Sequence, residues 1–265
     1  MPLSMNCRGA AATAHAGRDS AMIGEMQWSD EGVVLGVRPH GETAAVAELF
    51  TRRHGRHLGL VHGGRSRKLR PVLQVGNHVD ATWKARLADN LGHFALELRQ
   101  GFAALLMEDA AALAAMTSMA ALVRLLPERD PHPNLYEITH FVLGYLGDRA
   151  VWPALLVRWE LALLDELGFG LDLSSCVATG STADLLYVSP KSGGAVSAEA
   201  GEPYKDRLLA LPGFLRGRAA GDVSAADVLA GFALTGHFLG ARVLAPRNLE
   251  MPEARSRLLS YLRRV

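Results

Sequence analysis

Residues 28–64 read WSDEGVVLGVRPHGETAAVAELFTRRHGRHLGLVHGG. Three short runs in this stretch carry β chemistry: Gly32–Val37, Ala44–Thr51 and Arg56–His62. They are β-branched or alternating, and Arg38-Pro39-His40-Gly41 and Arg52-Arg53-His54-Gly55 separate them. Such runs fit a half-buried pleated surface, while Gly and Pro mark its turns. Working outward, Gly63-Gly64 and Val75-Gly76-Asn77 precede two more runs, His78–Arg86 and His93–Leu98. Five short strands in about 70 residues predict a small closed barrel, because closure removes exposed edges.

After Gly101 the pattern turns helical, so the expected class is α+β. Phe102 to Leu126 is rich in Ala, Leu and Met, and Pro127 ends it. Pro133 to Leu146 repeats Leu135, Ile138, Val142 and Tyr145 at helical spacing. Pro153 to Leu167 carries a stripe of Leu155, Leu156, Trp159, Leu163 and Leu167, with Gly168 placed as a C-terminal cap. Residues 170–215 read as a loop-rich insert. Ser224 and Asp227 resemble a capping box opening a helix to about Leu239, and a last helix runs from Pro252 to Arg264. The predicted division is 26–100 for the barrel and 101–265 for the helical domain. Residues 1–25 are expected to be a disordered extension, or to follow a start placed too early, with Met26 as the natural start.

The composition excludes several classes. Of 265 residues, 49% are apolar and 21% charged, which does not describe a disordered chain. Cys7 and Cys176 are the two cysteines, too few for a disulfide scaffold or a four-thiolate zinc site. No run free of charge and proline exceeds the 14 residues of Ala110–Val123, too short to span a bilayer. No secretory signal is evident, so the default expectation is a cytoplasmic protein.

The net charge of +1 hides an uneven distribution. Residues 26–100 hold 11 basic and 7 acidic side chains, or +4, whereas 101–265 hold 15 and 18, or −3. The densest cationic stretch is Gly63-Gly64-Arg65-Ser66-Arg67-Lys68-Leu69-Arg70. A Gly-led cationic loop after a strand can follow a phosphate backbone, and Arg offers forked donors. Arg65, Arg67, Lys68 and Arg70 are therefore candidate nucleic-acid contacts. Arg52, Arg53 and Arg56 on the preceding turn, and Lys84 and Arg86 on a predicted strand, are candidate supports. Phe50, Trp83 and Phe94 could stack on bases but fit core positions better.

Catalytic patterns are missing. The chain has no phosphate-cradling G-x-x-x-x-G-K-[ST], no H-E-x-x-H, no G-x-S-x-G and no G-x-G-x-x-G after a strand. His54 and His57 have ligand-like spacing, but Arg52, Arg53 and Arg56 surround them and disfavour a dication. Asp165-Glu166 point about 100° apart on a helix and read as surface charges. Cys176 has no nearby base.

At this point the residues resemble the bacterial recombination mediator family RecO. The likeness lies in Trp28-Ser29-Asp30-Glu31-Gly32-Val33-Val34-Leu35, Gly41-Glu42-Thr43, Phe50-Thr51…His54-Gly55 and Gly63-Gly64-Arg65-Ser66. It continues in Arg158-Trp159-Glu160-Leu161-Ala162-Leu163-Leu164…Leu167-Gly168-Phe169-Gly170 and then Cys176. The resemblance covers about residues 26–245. It implies an N-terminal OB-fold, a C-terminal helical domain and an embedded zinc-finger-like region. It also implies a non-catalytic, nucleoid-associated protein that binds single- and double-stranded DNA and anneals complementary strands. With RecR, such a protein helps load RecA onto strands coated by the single-stranded-DNA-binding protein SSB. The acidic, Phe-ended SSB tail is expected to dock on the helical domain, and Arg158 in the matched motif is the candidate contact.

One part of the pattern is broken. Zinc-bearing relatives carry two C-x-x-C pairs. Here the first reads Cys176-Val177-Ala178-Thr179, and the second, after Ser189-Pro190-Lys191-Ser192-Gly193-Gly194, reads Ser197-Ala198-Glu199-Ala200. Hydroxyl and methyl side chains do not replace thiolates on zinc. The expectation is therefore no metal and no cofactor, with Leu185, Tyr187 and Phe214 packing the insert. Two competing readings are a sequence-tolerant RNA-binding barrel and a nuclease. The nuclease would need clustered carboxylates for a metal, and the seven acids of 26–100 are scattered.

Overall fold

The structure is a computed structural model, and it describes residues 26–87, 89–216 and 223–264. The expected extension 1–25, with Cys7, lies outside the described residues.

Five strands close a barrel in the order β1-β2-β3-β5-β4. They are β1 (Met26–His40), β2 (Ala44–Thr51), β3 (Gly55–Val61), β4 (His78–Ala85) and β5 (His93–Gln100). Neighbours are antiparallel except for β3 and β5, which meet in parallel at Leu60 and His93. β1 is much longer than the expected Gly32–Val37. Its first half, Met26 to Val33, pairs with β4, and its second half, Gly32 to His40, pairs with β2. A single bent strand thus closes the barrel, and an irregularity between Val34 and Gly36 marks the bend.

Alternation sorts the barrel side chains. Val34, Leu49, Val61, Val79, Trp83, Phe94 and Leu96 form the interior. The crossover from β3 to β4 covers one end, with Leu73 buried and Leu69 and Val72 packed on the interior cluster. Asn77 fixes this crossover. Its amide nitrogen donates to the Pro71 carbonyl at 2.8 Å, and its oxygen accepts from the Phe102 and Ala103 N–H groups.

The second half begins with α1 (Ala103–Glu108), α2 (Ala110–Val123), α3 (Pro133–Tyr145) and α4 (Trp152–Glu166). The expected single helix Phe102–Leu126 is thus two helices. Asp109 interrupts it with an extended backbone, and its carboxylate accepts from the Ala111 and Ala112 N–H groups. An N-capping carboxylate starts a new helix there without Gly or Pro. α2 is buried on nearly every side, as befits its apolar composition.

The insert holds more regular structure than expected. β6 (Asp172–Cys176), β7 (Leu185–Val188), β8 (Gly194–Ser197) and β9 (Leu209–Ala210) form a four-stranded sheet ordered β6-β8-β7-β9. Leu185 and Phe214 are buried, and Tyr187 packs against the same cluster. The short helix α5 (Ala198–Gly201) follows β8; α6 (Ala225–Phe238) and α7 (Glu253–Leu262) complete the chain. Ser224 and Asp227 form the expected capping box at α6. The helical stretch Ala225–Arg247 is long and apolar enough to cross a membrane by length and composition. In the fold, Phe232, Leu234 and Phe238 of this stretch are buried in the main core.

The two halves share a core. Val33, Leu35 and Phe50 point outward from β1 and β2 into the cluster built by α2, α3 and α4. Ions flank this apolar seam: Glu48 accepts from Arg56 at 2.9 Å and from Arg124 at 2.8 Å. Gly55 turns between β2 and β3 at φ +63°, and a Cβ there would sit 1.9 Å from the Asp130 carbonyl oxygen. Glycine is required at this approach both for φ and for space.

A buried ion pair fastens the C-terminal helix. Arg255 of α7 donates to both Glu160 oxygens, at 2.8 and 2.9 Å, and to the Phe232 carbonyl at 2.7 Å. Thr235 also bonds Glu160. The side chains are 4% and 1% exposed, so removing one partner strands a buried charge. Glu160→Ala is expected to cost about 3–5 kcal/mol in urea unfolding, whereas a well-packed apolar replacement of both partners recovers most of the loss.

Candidate nucleic-acid interface

The cationic loop is shaped by local chemistry. Gly63 adopts φ +64°, which lets the chain leave β3 sharply. Ser66 Oγ then accepts from the Leu69 N–H, and the Arg70 N–H bonds the Ser66 carbonyl. These turns wind residues 66–73 so that Leu69 and Leu73 face the barrel while Arg67, Lys68 and Arg70 face solvent. The last three make no ion pair among the described residues. Like-charged side chains held on a short loop without internal partners are poised to take external anions.

Arg65 plays a different part. Its Nη1 donates to the Gly41 carbonyl at 3.1 Å and the Glu42 carbonyl at 2.9 Å, and its N–H bonds the Thr43 carbonyl. It therefore docks the loop against the β1–β2 turn. Val37 and Pro39 of β1 face the docked loop, whereas exposed Arg38 lines a separate cleft with Glu48 and Arg124. A cleft of about 430 Å³ runs between the two loops, lined by Val37, Pro39, Arg65, Arg70, Leu73 and Gln74.

The turn Arg52–Arg56 does not join this surface. Arg52 pairs with Glu31 at 3.2 Å and Glu137 at 2.6 Å. Arg53 pairs with Asp30 at 3.3 Å and donates to the Ser29 carbonyl. Arg56, only 15% exposed, lies between Glu48 and Glu128. Carboxylates thus engage all three of these expected supports; Arg52 and Arg56 tie the barrel to the helical domain, while Arg52 and Arg53 keep about half or more of their side chains exposed.

Lys84 and Arg86 are exposed at the end of β4. Lys84 stands opposite His93 in the β4–β5 register. The aromatic candidates Phe50, Trp83 and Phe94 are all buried and unavailable for stacking. Trp83 donates its Nε1–H to the Leu91 carbonyl at 3.0 Å.

His54 and His57 diverge. His54 Nδ1 lies 2.9 Å from Asp30, and its ring stacks on Trp28 at 4.0 Å. His57 points into the barrel among Trp28, Trp83 and Phe94. Burial, with help from Arg129 and His54, lowers its pKa to about 4, so it is neutral near pH 7. Among the described residues no group of three or more His, Cys, Asp or Glu side chains could hold a metal.

Two comparisons with known proteins bear on identity. Residues 26–102 match the family model "Recombination protein O N terminal", and residues 107–250 match "Recombination protein O C terminal". The chain belongs to the RecO family. It is 61% identical over 234 residues to the DNA repair protein RecO of Methylobacterium nodulans, covering 87% of this chain and 95% of the relative. It is 55% identical over 240 residues to RecO of Methylorubrum populi, covering 89% and 98%. Against RecO of Rhodospirillum centenum it is 55% identical over 243 residues, covering 91% and 96%. RecO is a DNA repair family, and both halves of the fold fall inside it.

The family motif also locates Arg158. It is exposed on α4, and its Nη2 donates to the Phe214 carbonyl at 2.6 Å. One bond to a carbonyl leaves most of the guanidinium donors unused. In the insert, Ser197 and Thr179 meet at Cys176. Its Sγ accepts from the Ser197 N–H at 3.3 Å, and hydrogen bonds from Ser197 and Thr179 hold its pKa below the usual thiol value.

Proposed function

We propose that this protein acts in recombinational DNA repair without catalysing a reaction, by binding DNA through its barrel and annealing complementary strands. The barrel reads as an OB-fold, a form that holds single strands in a cationic groove. The observation that carries the reading is the set Arg67, Lys68 and Arg70, exposed, without an ion pair among the described residues and carried on the loop that Arg65 docks against the β1–β2 turn. Cations neutralising phosphate on two strands lower their repulsion, so that base pairing supplies the remaining driving force. Both single- and double-stranded DNA fit such a surface, because phosphate is common to them. RecR and the SSB tail are the proposed partners, RecA is the indirect one, and the cytoplasm is the proposed location.

The insert is proposed to fold without zinc, and the protein to need no cofactor. Packing of Leu185 and Phe214 and the four-stranded sheet support this. Elemental analysis of the purified protein should find less than about one-tenth of an equivalent of zinc; a stoichiometric signal overturns it.

Arg158 is the proposed contact for the acidic SSB tail. Arg158→Ala is expected to weaken binding of that tail peptide about tenfold with the melting temperature retained, and unchanged affinity removes the assignment.

For DNA, three phosphate contacts predict a salt slope near about −2 for single strands, from roughly −0.7 per contact. Arg67→Ala/Lys68→Ala/Arg70→Ala should bring the slope toward zero and suppress annealing. If slope and annealing are both unchanged, the loop is not the site.

A further inference from the structure

His62 and His93 lie far apart in sequence, yet their rings stack at 4.6 Å with 22° between planes. Both are exposed, and neither side chain makes a hydrogen bond or ion pair among the described residues. The stack is therefore not explained by internal pairing. Register shows how it arises. β3 and β5 meet at Leu60 and His93, so His62, just beyond the end of β3, reaches the start of β5.

The position of this stack is informative. On the other side of His93 stands Lys84, its direct partner on β4. On the other side of His62 begins the loop that carries Arg67, Lys68 and Arg70. The stack thus fills the gap between two cationic groups that the sequence leaves unconnected. Neighbouring strands lie about 4.8 Å apart, so β4, β5 and β3 together give a strip about 10 Å wide.

The rest of this face is mixed in charge, with Arg52, Arg53 and Arg99 lining the same cleft as Asp30, Glu31, Asp80 and Glu97. Four residues further along, Asp80 stands directly opposite Glu97 in the β4–β5 register. Arg99 pairs with Asp80 at 3.2 Å and with Glu31 at 2.5 Å. Carboxylates tied up with arginines offer phosphate little net attraction, so the Lys84–His93–His62 edge is the more favourable route for a nucleic-acid strand.

We infer that the stacked His62–His93 pair is a base-stacking platform that carries a single strand from the loop at Arg67–Arg70 across to Lys84. This rests on the nucleic-acid reading above and assigns it a route and a second type of contact. Exposed π-faces stack on any base, so the contact is sequence-tolerant. The buried Trp83 and Phe94 cannot supply it.

The test uses the full chain, a labelled oligothymidylate and a strand of the same length made of abasic nucleotides. His62→Ala/His93→Ala is expected to bind the oligothymidylate about tenfold more weakly, with a retained salt slope. The abasic strand should bind the variant and the wild type equally, because it offers phosphate without a base. His62→Phe/His93→Phe, which keeps aromatic faces, should bind oligothymidylate within about twofold of wild type, and it decides the matter if the alanine variant fails to fold. Equal binding of oligothymidylate by wild type and the alanine variant overturns the platform while leaving the cationic loop standing. Loss of binding in the phenylalanine variant also overturns it. Failure of the wild type to bind either strand removes the nucleic-acid reading itself.

Discussion

One buried seam organises the molecule. The outward side chains Val33, Leu35 and Phe50 of β1 and β2 are sunk in the helical core, and that face of the barrel is closed to any ligand. Glu48 sits at its margin between Arg56 and Arg124, and Gly55 lets the β2–β3 turn lie directly on Asp130. Apolar burial supplies the association, and the ion pairs fix its alignment. A small barrel covered along one side has its loops and its opposite strands left for partners. Those are the places where the unpaired cations and the exposed stacked rings lie.

The seam also changes the meaning of the charge division. A barrel at +4 and a helical half at −3 suggest two surfaces with separate tasks. Part of that difference is used internally. Glu128 and Glu137 of the helical half engage Arg56 and Arg52 of the barrel, and Asp30 engages Arg53. The exposed cations without an ion pair among the described residues include Arg67, Lys68 and Arg70 on the loop and Lys84 and Arg86 at the end of β4. A net total, or even a regional one, cannot separate cations that hold the protein together from cations that meet a ligand.

The strands of the barrel and α3, α4, α6 and α7 were legible from the sequence because their signals are local. Alternation, glycine turns, proline at a helix start and the Ser224–Asp227 box each act within a few residues. What escaped depends on distant partners. The first half of β1 extends because β4 lies beside it, and nothing in Met26-Gln27-Trp28-Ser29 announces that. Arg56 looks like its free neighbours until Glu48 and Glu128 are brought to it. His62 and His93 gain meaning only through the parallel contact of β3 with β5. The sheet in the insert was hidden by the brevity of its strands. At Cys176 the fold adds a contact that spacing does not announce, the Ser197 N–H bonding its sulfur.

The central claim is that cations at the free end of the barrel let two strands pair without hydrolysis. The most direct measurement is annealing of complementary strands coated with SSB, with and without the full-length protein. The account predicts that the protein accelerates pairing without nucleotide or metal, and that the acceleration falls steeply with salt. Annealing at the same rate with and without the protein, at every salt concentration, would contradict it.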